Sequence, residues 1–174
     1  AAGGTSTLTN AAPEPHVQEF CRFMTMMGAR IEGIGTSRVT VHGGEKLGGG
    51  EFTFDEDFHE ITTFLALGAI TNGDVVVRNG APANFPLIDR TFEKFGVRIV
   101  HEDGWSRAER SGPLQVQTPF TSNVLTKVEA APWPYFPVDL LPIFIALGVR
   151  AQGNAMFWNK VYDSALGWTS ELSK

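Results

Sequence analysis

The chain has 174 residues, 43% hydrophobic and 19% charged, which is enough apolar material to build a core in one domain or two small ones. A formal charge of −5 with no Lys/Arg cluster argues against a nucleic-acid partner, because a phosphate backbone needs a basic face. The single cysteine, Cys21, leaves no internal disulfide and suits a reducing cytoplasm.

The elements follow in chain order. The N-terminal Ala1-Ala2-Gly3-Gly4 has neither the basic flank nor the apolar stretch of a secretory signal. Gly4 to Asn10 reads as a strand. Val17, Phe20, Cys21, Met24 and Met27 then recur at three- and four-residue spacing, one apolar stripe of a helix. Pro15 suits its first turn and Gly28 its end. Strands are predicted at Arg30 to Glu32 and Val39 to His42. The turn Gly48-Gly-Gly50 leads to a further strand around Phe52-Thr-Phe54. The acidic Asp55-Glu-Asp57, with Glu60, marks a helix start ahead of Ile61 to Ile70. After a strand in Gly73 to Asn79, Phe85, Ile88, Phe92 and Phe95 form a second apolar stripe that Gly96 terminates. Arg98 to Val100 is a strand, followed by a turn at Asp103-Gly104. The longest apolar run, Leu140 to Val149, is broken by Pro142 and falls well short of a membrane span, so it is a helix of the core.

Three segments repeat. Gly4-Thr-Ser-Thr-Leu-Thr-Asn10, Gly73-Asp-Val-Val-Val-Arg-Asn79 and Gly153-Asn-Ala-Met-Phe-Trp-Asn159 each run from a Gly through a strand to an Asn. Ala12-Pro13 matches Ala81-Pro82, and Gly28-Ala-Arg-Ile31 matches Gly96-Val-Arg-Ile99. The unit is strand, helix, strand, helix, strand, strand, about seventy residues long. Helices between strands favour parallel pairing with right-handed crossovers. The first copy lacks its opening strand and helix, and the third ends inside its second helix near Lys174. Repeats need neighbours to cover their apolar faces, so the chain is expected to be a segment of a longer protein.

Two stretches carry a resemblance. One is Asn10-Ala-Ala-Pro-Glu-Pro-His16 with Gly28-Ala-Arg-Ile-Glu-Gly-Ile-Gly-Thr36 and Val41-His-Gly43; the other is Ala131-Pro-Trp-Pro-Tyr-Phe-Pro-Val-Asp139. Together they resemble the enolpyruvyl transferases that act on UDP-N-acetylglucosamine, along essentially the whole chain. The resemblance implies an α/β fold (α+β by some schemes) of repeated βαβαββ units, the inside-out α/β barrel type, incomplete at both ends. It places residues 1–55 at the end of one domain and 56–174 at the start of the second. It implies transfer of the enolpyruvyl group of phosphoenolpyruvate to the 3-hydroxyl of UDP-N-acetylglucosamine, in the cytoplasm, for peptidoglycan synthesis. No cofactor or metal is implied, and the remainder of the polypeptide would be needed for turnover. The shikimate-pathway transferase shares the architecture and is the alternative. A non-catalytic relative serving as a binding or envelope-associated module is another.

Candidate site residues follow. Read alone, Asp139 is a helix N-cap ahead of an apolar run. The resemblance instead makes it the carboxylate that contacts the sugar 3-hydroxyl and takes its proton, and a base is what a poorly nucleophilic hydroxyl needs. Val161 and Tyr162 match positions that line the nucleotide-sugar site, the first through its backbone; as plain sequence they are strand-end core residues. Glu14 matches a glutamate near the cleft and otherwise reads as another N-cap. The family's arginine in the loop after Val161 is replaced by Ala165, which removes a fixed positive charge for an anionic substrate. Cys21 sits in an apolar stripe, where a buried thiol is inert. His16, His42, His59 and His101 lack metal-ligand spacing, and the Gly48 turn lacks the Lys-Ser/Thr of a phosphate loop.

Overall fold

Each of the three matching segments begins with a glycine ahead of a strand, and in the computed structural model two of these, Gly4 (φ 98°) and Gly153 (φ 107°), adopt the left-handed conformation that glycine tolerates. The structure describes residues 3–44, 46–119 and 124–173, so Ala1, Ala2 and Lys174 lie outside the described residues. It divides into two units, Ala1–Phe54 and Asp55–Lys174.

In the first unit, β1 (Gly4–Thr9) leads to α1 (Pro15–Met26), then β2 (Arg30–Glu32) and β3 (Arg38–Gly43). The sheet order is β1-β3-β2 and both pairings are antiparallel. This corrects the expected parallel pairing. The strands flanking the helix do run the same way, but β3 folds back from the β2 turn and inserts between them, taking the hydrogen bonds of both. The α1 stripe is also less enclosed than its spacing suggests. No α1 residue is buried, Phe20 is 57% exposed, and Cys21 is half-buried. Residues 46–57 form no strand, so the second copy has no opening strand around Phe52. Those residues instead supply rings: Phe23, Phe52 and Phe54 cluster with centroids 4.9–5.7 Å apart.

The second unit holds the core. It starts with α2 (Phe58–Thr71), whose N-cap Asp57 accepts the His59 amide hydrogen at 2.8 Å, as its acidic start implies. Then come β4 (Val76–Arg78), a 3₁₀ turn at Pro82–Asn84, α3 (Pro86–Glu93), β5 (Arg98–Glu102) and β6 (Trp105–Glu109). The order β4-β6-β5, again antiparallel, repeats the first sheet. The stripe predicted for α3 is buried throughout: Phe85, Phe92 and Phe95 are fully enclosed and Ile88 nearly so. A polar string ties strands to helix. Buried Asn79 donates to Ser106 Oγ (2.8 Å), His101 Nδ1 lies 2.6 Å from that oxygen, and His101 Nε2 lies 3.0 Å from Asp89 Oδ2. Ser106 is 1% exposed, so this Ser-His-Asp arrangement cannot meet a substrate.

The third copy contributes β7 (Thr126–Ala130), a 3₁₀ turn at Val138–Leu140, α4 (Leu141–Arg150) and β8 (Ala155–Asn159). Here the strands on either side of the helix pair directly and in parallel, as expected. Phe144 of α4 is fully buried and packs on Phe92 (4.7 Å between centroids), Phe136 (5.1 Å) and Phe95 (6.3 Å). Gly148 lets α4 approach β8: a Cβ there would come within 3.0 Å of the Phe157 ring. The segment after β8 is a 3₁₀ helix, Gly167–Ser173, in place of the α-helix expected there.

Candidate functional site

Parallel pairing brings the carboxyl ends of β7 and β8 to one edge, with Ala130 opposite Asn159. Such edges are where α/β sheets present ligand-binding loops. The loop after β7 is tight. The Ala131 amide donates to the Phe136 carbonyl (3.1 Å) and the Tyr135 amide to the Pro132 carbonyl (3.2 Å). Phe136, 5% exposed, anchors this loop, and fully buried Leu140 anchors the 3₁₀ turn that follows. Asp139, between half-buried Val138 and Leu140, is left exposed at the head of α4.

The loop after β8 is shaped by Asn159. Its Oδ1 accepts from the Val161 amide (2.9 Å) and its Nδ2 donates to the Tyr162 carbonyl, an Asx turn. The Lys160 amide donates to the Ala130 carbonyl (3.0 Å), tying this loop to β7. The result is that the Tyr162 hydroxyl donates to Asp139 Oδ1 at 3.4 Å, a long hydrogen bond. Desolvation of the ring, then the Asp139 charge, raise the phenol above its ordinary pKa, so it stays a donor at neutral pH. A carboxylate with one oxygen engaged retains a second with which to accept a proton.

The structure therefore brings two of the predicted residues together and revises the plain readings of all four. Asp139 is not a side-chain cap: it lies inside the 3₁₀ turn, and the N-cap of α4 is Leu140. Val161 and Tyr162 are not core residues, being 37% and 52% exposed. The Val161 amide is committed to Asn159. Glu14 occupies the N-cap position of α1, but its side chain makes no cap; it pairs with His16 at 3.4 Å in the Ala1–Phe54 unit. Ala165 sits in a turn where its carbonyl accepts from the Trp168 indole (3.1 Å). Among the described residues, no group of His, Cys, Asp or Glu is placed to hold a metal ion.

Sequence reasoning noticed Asn159 only as a repeat landmark. The signal was there: Asn79, its counterpart, likewise accepts the amide hydrogen two residues on, from Ala81 at 3.0 Å. It also missed a charge cluster on the outer face of β7–β8. Strand alternation buries Val128 and Ala130 and turns Lys127 and Glu129 outward. Glu129 pairs with both Lys127 and Lys160, and Lys127 stands 5.1 Å over the Trp158 ring. Hydrogen bonds from Lys127, then Lys160, lower the Glu129 carboxyl from 4.5 to about 2. A depressed carboxyl contributes stability that is fully present above its unfolded value and is lost as pH falls through its folded value. The Glu129 carboxyl carbon should therefore titrate by NMR with a midpoint near 2, and Lys160→Ala should raise that midpoint. A midpoint near 4.5 in the unsubstituted chain would break the assignment.

Comparison with known proteins agrees with this architecture. A family model described as EPSP synthase (3-phosphoshikimate 1-carboxyvinyltransferase) matches residues 1–174. A UDP-N-acetylglucosamine 1-carboxyvinyltransferase of Borreliella burgdorferi is 30% identical over 173 residues, covering 99% of this chain and 40% of the relative. The protein of the same name from Treponema denticola is 32% identical over 171 residues, covering 98% and 40%. The chain thus spans about 40% of the length of these curated relatives. The crystal structure of the enolpyruvyl transferase NikO from Streptomyces tendae superposes with a TM-score of 0.73 at 20% identity, over 99% of this chain and 39% of that one, a likeness of fold.

Proposed function

We propose, from the premise that the chain belongs to the EPSP synthase family, that it is a working part of a transferase that moves the enolpyruvyl group of phosphoenolpyruvate onto the 3-hydroxyl of UDP-N-acetylglucosamine. The observation that carries this reading is the exposed Asp139 carboxylate, held by Tyr162 at the shared carboxyl edge of β7 and β8. The relatives named for that activity support the choice of acceptor.

The chemistry asks little else of this part of the protein. The sugar hydroxyl adds to the central carbon of phosphoenolpyruvate while Asp139 takes its proton, and the adjacent methylene carbon is protonated. That carbon is then a methyl group, and loss of phosphate together with one methyl proton, taken by a base outside these residues, restores the double bond as an enol ether. Removing the hydroxyl proton during attack is the task of general base catalysis. Tyr162 is a positioning residue that steadies one carboxylate oxygen, and the Val161 carbonyl and Glu14 would contact the nucleotide sugar. Residues 1–55 would close one domain and 56–174 open the second. Among the described residues Asp139 is the one group suited to the chemistry, so the 174-residue chain alone would not turn over. Among the described residues no helix is long and apolar enough to cross a membrane; the proposed place of action is the cytoplasm, in the making of peptidoglycan precursor.

The description of the matching family model favours a second acceptor, shikimate 3-phosphate. Thermal unfolding of the full-length protein discriminates the two. A ligand at a hundred times its Kd stabilises by about 2.7 kcal/mol, so the true acceptor should raise the midpoint by several degrees. A rise with UDP-N-acetylglucosamine and none with shikimate 3-phosphate is expected. The opposite pattern transfers the assignment to the second acceptor. Binding of the nucleotide sugar without phosphate release would instead support a non-catalytic relative, a reading that Ala165 motivates.

A further inference from the structure

Away from the Asp139 edge, α2 ends against β5 and β6 around a cavity of about 600 Å³. Its polar lining is Asn72, Asp74, Arg98, Arg107, Glu109 and Arg110. We propose that this cavity is a second binding site, for a small oxyanion of the phosphate or carboxylate type.

The cavity lining gathers three guanidinium groups against two carboxylates in a chain whose formal charge is −5. Strand geometry explains why the arginines share a face. Arg107 and Glu109 are two apart on β6, and Glu109 stands opposite Arg98 in the β5–β6 ladder. Glu109, which might have neutralised Arg98, is instead hydrogen-bonded by Arg107. Asp74 and Glu102 act on the same guanidinium, so Arg107 is the neutralised member of the three. Arg98 and Arg110 are thereby left without a carboxylate partner among the described residues. Arg110 donates Nη1 to the Gly112 carbonyl at 2.7 Å, while its Nε is buried and unpartnered. A charged donor in that condition carries an uncompensated desolvation cost. The fork of a guanidinium matches the paired oxygens of phosphate and carboxylate, which sets the ligand class.

The carboxyl end of a helix ordinarily repels anions. Here one of its end carbonyls is covered: the Asn72 and Gly73 amides both return to the Gly68 carbonyl, and Asn72 takes the left-handed cap conformation. The volume lies within the range of small-molecule sites, larger than one inorganic ion needs, so a phosphorylated or polycarboxylate metabolite fits better than phosphate alone. None of the lining residues belongs to the Asp139 edge.

The test titrates the chain with sodium phosphate and, separately, sodium citrate, against sodium chloride at matched ionic strength, following thermal midpoint and backbone amide shifts. A saturable rise in midpoint with phosphate or citrate is expected, with shifts at Gly73, Gly96 and Ser111. A stronger response to phosphate identifies a phosphorylated ligand, and to citrate a polycarboxylate. The Arg98→Gln/Arg110→Gln variant should weaken binding by about tenfold or more, and Asp139→Asn should leave it unchanged. If the double variant does not fold, exposed Arg98→Gln alone must weaken it about threefold. A response equal to that of chloride, or one that survives the arginine substitutions, overturns the proposal.

Discussion

Asp139→Asn in the full-length protein is expected to lower phosphate release from phosphoenolpyruvate by about 10² to 10⁴-fold, the usual contribution of a positioned general base. Asparagine keeps the shape of the side chain and can still accept from the Tyr162 hydroxyl, so the 3₁₀ turn and the carboxyl edge should survive. What it loses is the ability to take a proton. The rate should therefore fall while the nucleotide-sugar-induced thermal shift stays within a few tenths of its normal size. Tyr162→Phe is the internal comparison. Its bond to Asp139 is long, at 3.4 Å, and exposed, so its loss should cost less than about tenfold. Steady-state phosphate release with the three proteins side by side decides the matter. Unchanged turnover in Asp139→Asn would remove Asp139 from the reaction, and an equal loss in both variants would mean that position, and not proton transfer, is what the pair supplies.

The second large effect is on stability. Phe144→Ala should destabilise the chain by about 3–5 kcal/mol, the range for emptying a fully enclosed aromatic site. Phe144 is fully buried and meets Phe92, Phe95 and Phe136, rings drawn from α3, the residues just after it, and the loop that leads to Asp139. Removing it opens a void shared by elements of two repeats, which cannot all close in at once. Phe20→Ala, on α1 and 57% exposed, is the control and should stay within about 1 kcal/mol. Urea unfolding followed by circular dichroism measures both. A loss below about 1 kcal/mol at Phe144 would show that this ring cluster is not the core of the second unit.

The helices and strands were legible because their causes are local. The Phe85, Ile88, Phe92, Phe95 spacing placed α3 against the core, and the glycines that open the three matching segments marked where strands begin. Failures came where a distant segment competes. The 46–57 stretch has strand-like residues but pairs with no strand among the described residues, and its rings cluster with Phe23 instead. The α1 stripe was read correctly as a helix and too generously as a core, since spacing shows which face is apolar and not whether anything covers it.

The candidate site divides in the same way. Asp139 stood out from the motif around it, and Asn159 carried a usable signal in its repeat position. Neither Tyr162 reaching Asp139 nor Arg107 diverting Glu109 from Arg98 could be read from spacing. Sequence by itself determined the repeat, the type of most elements and the family resemblance, because these depend on periodicity and on residues adjacent along the chain. Only the tertiary structure decided strand order, which positions are enclosed, and which charges neutralise each other. Those are settled by competition for hydrogen bonds and counter-charges among segments far apart in sequence, and only folding sets the distances over which that competition acts.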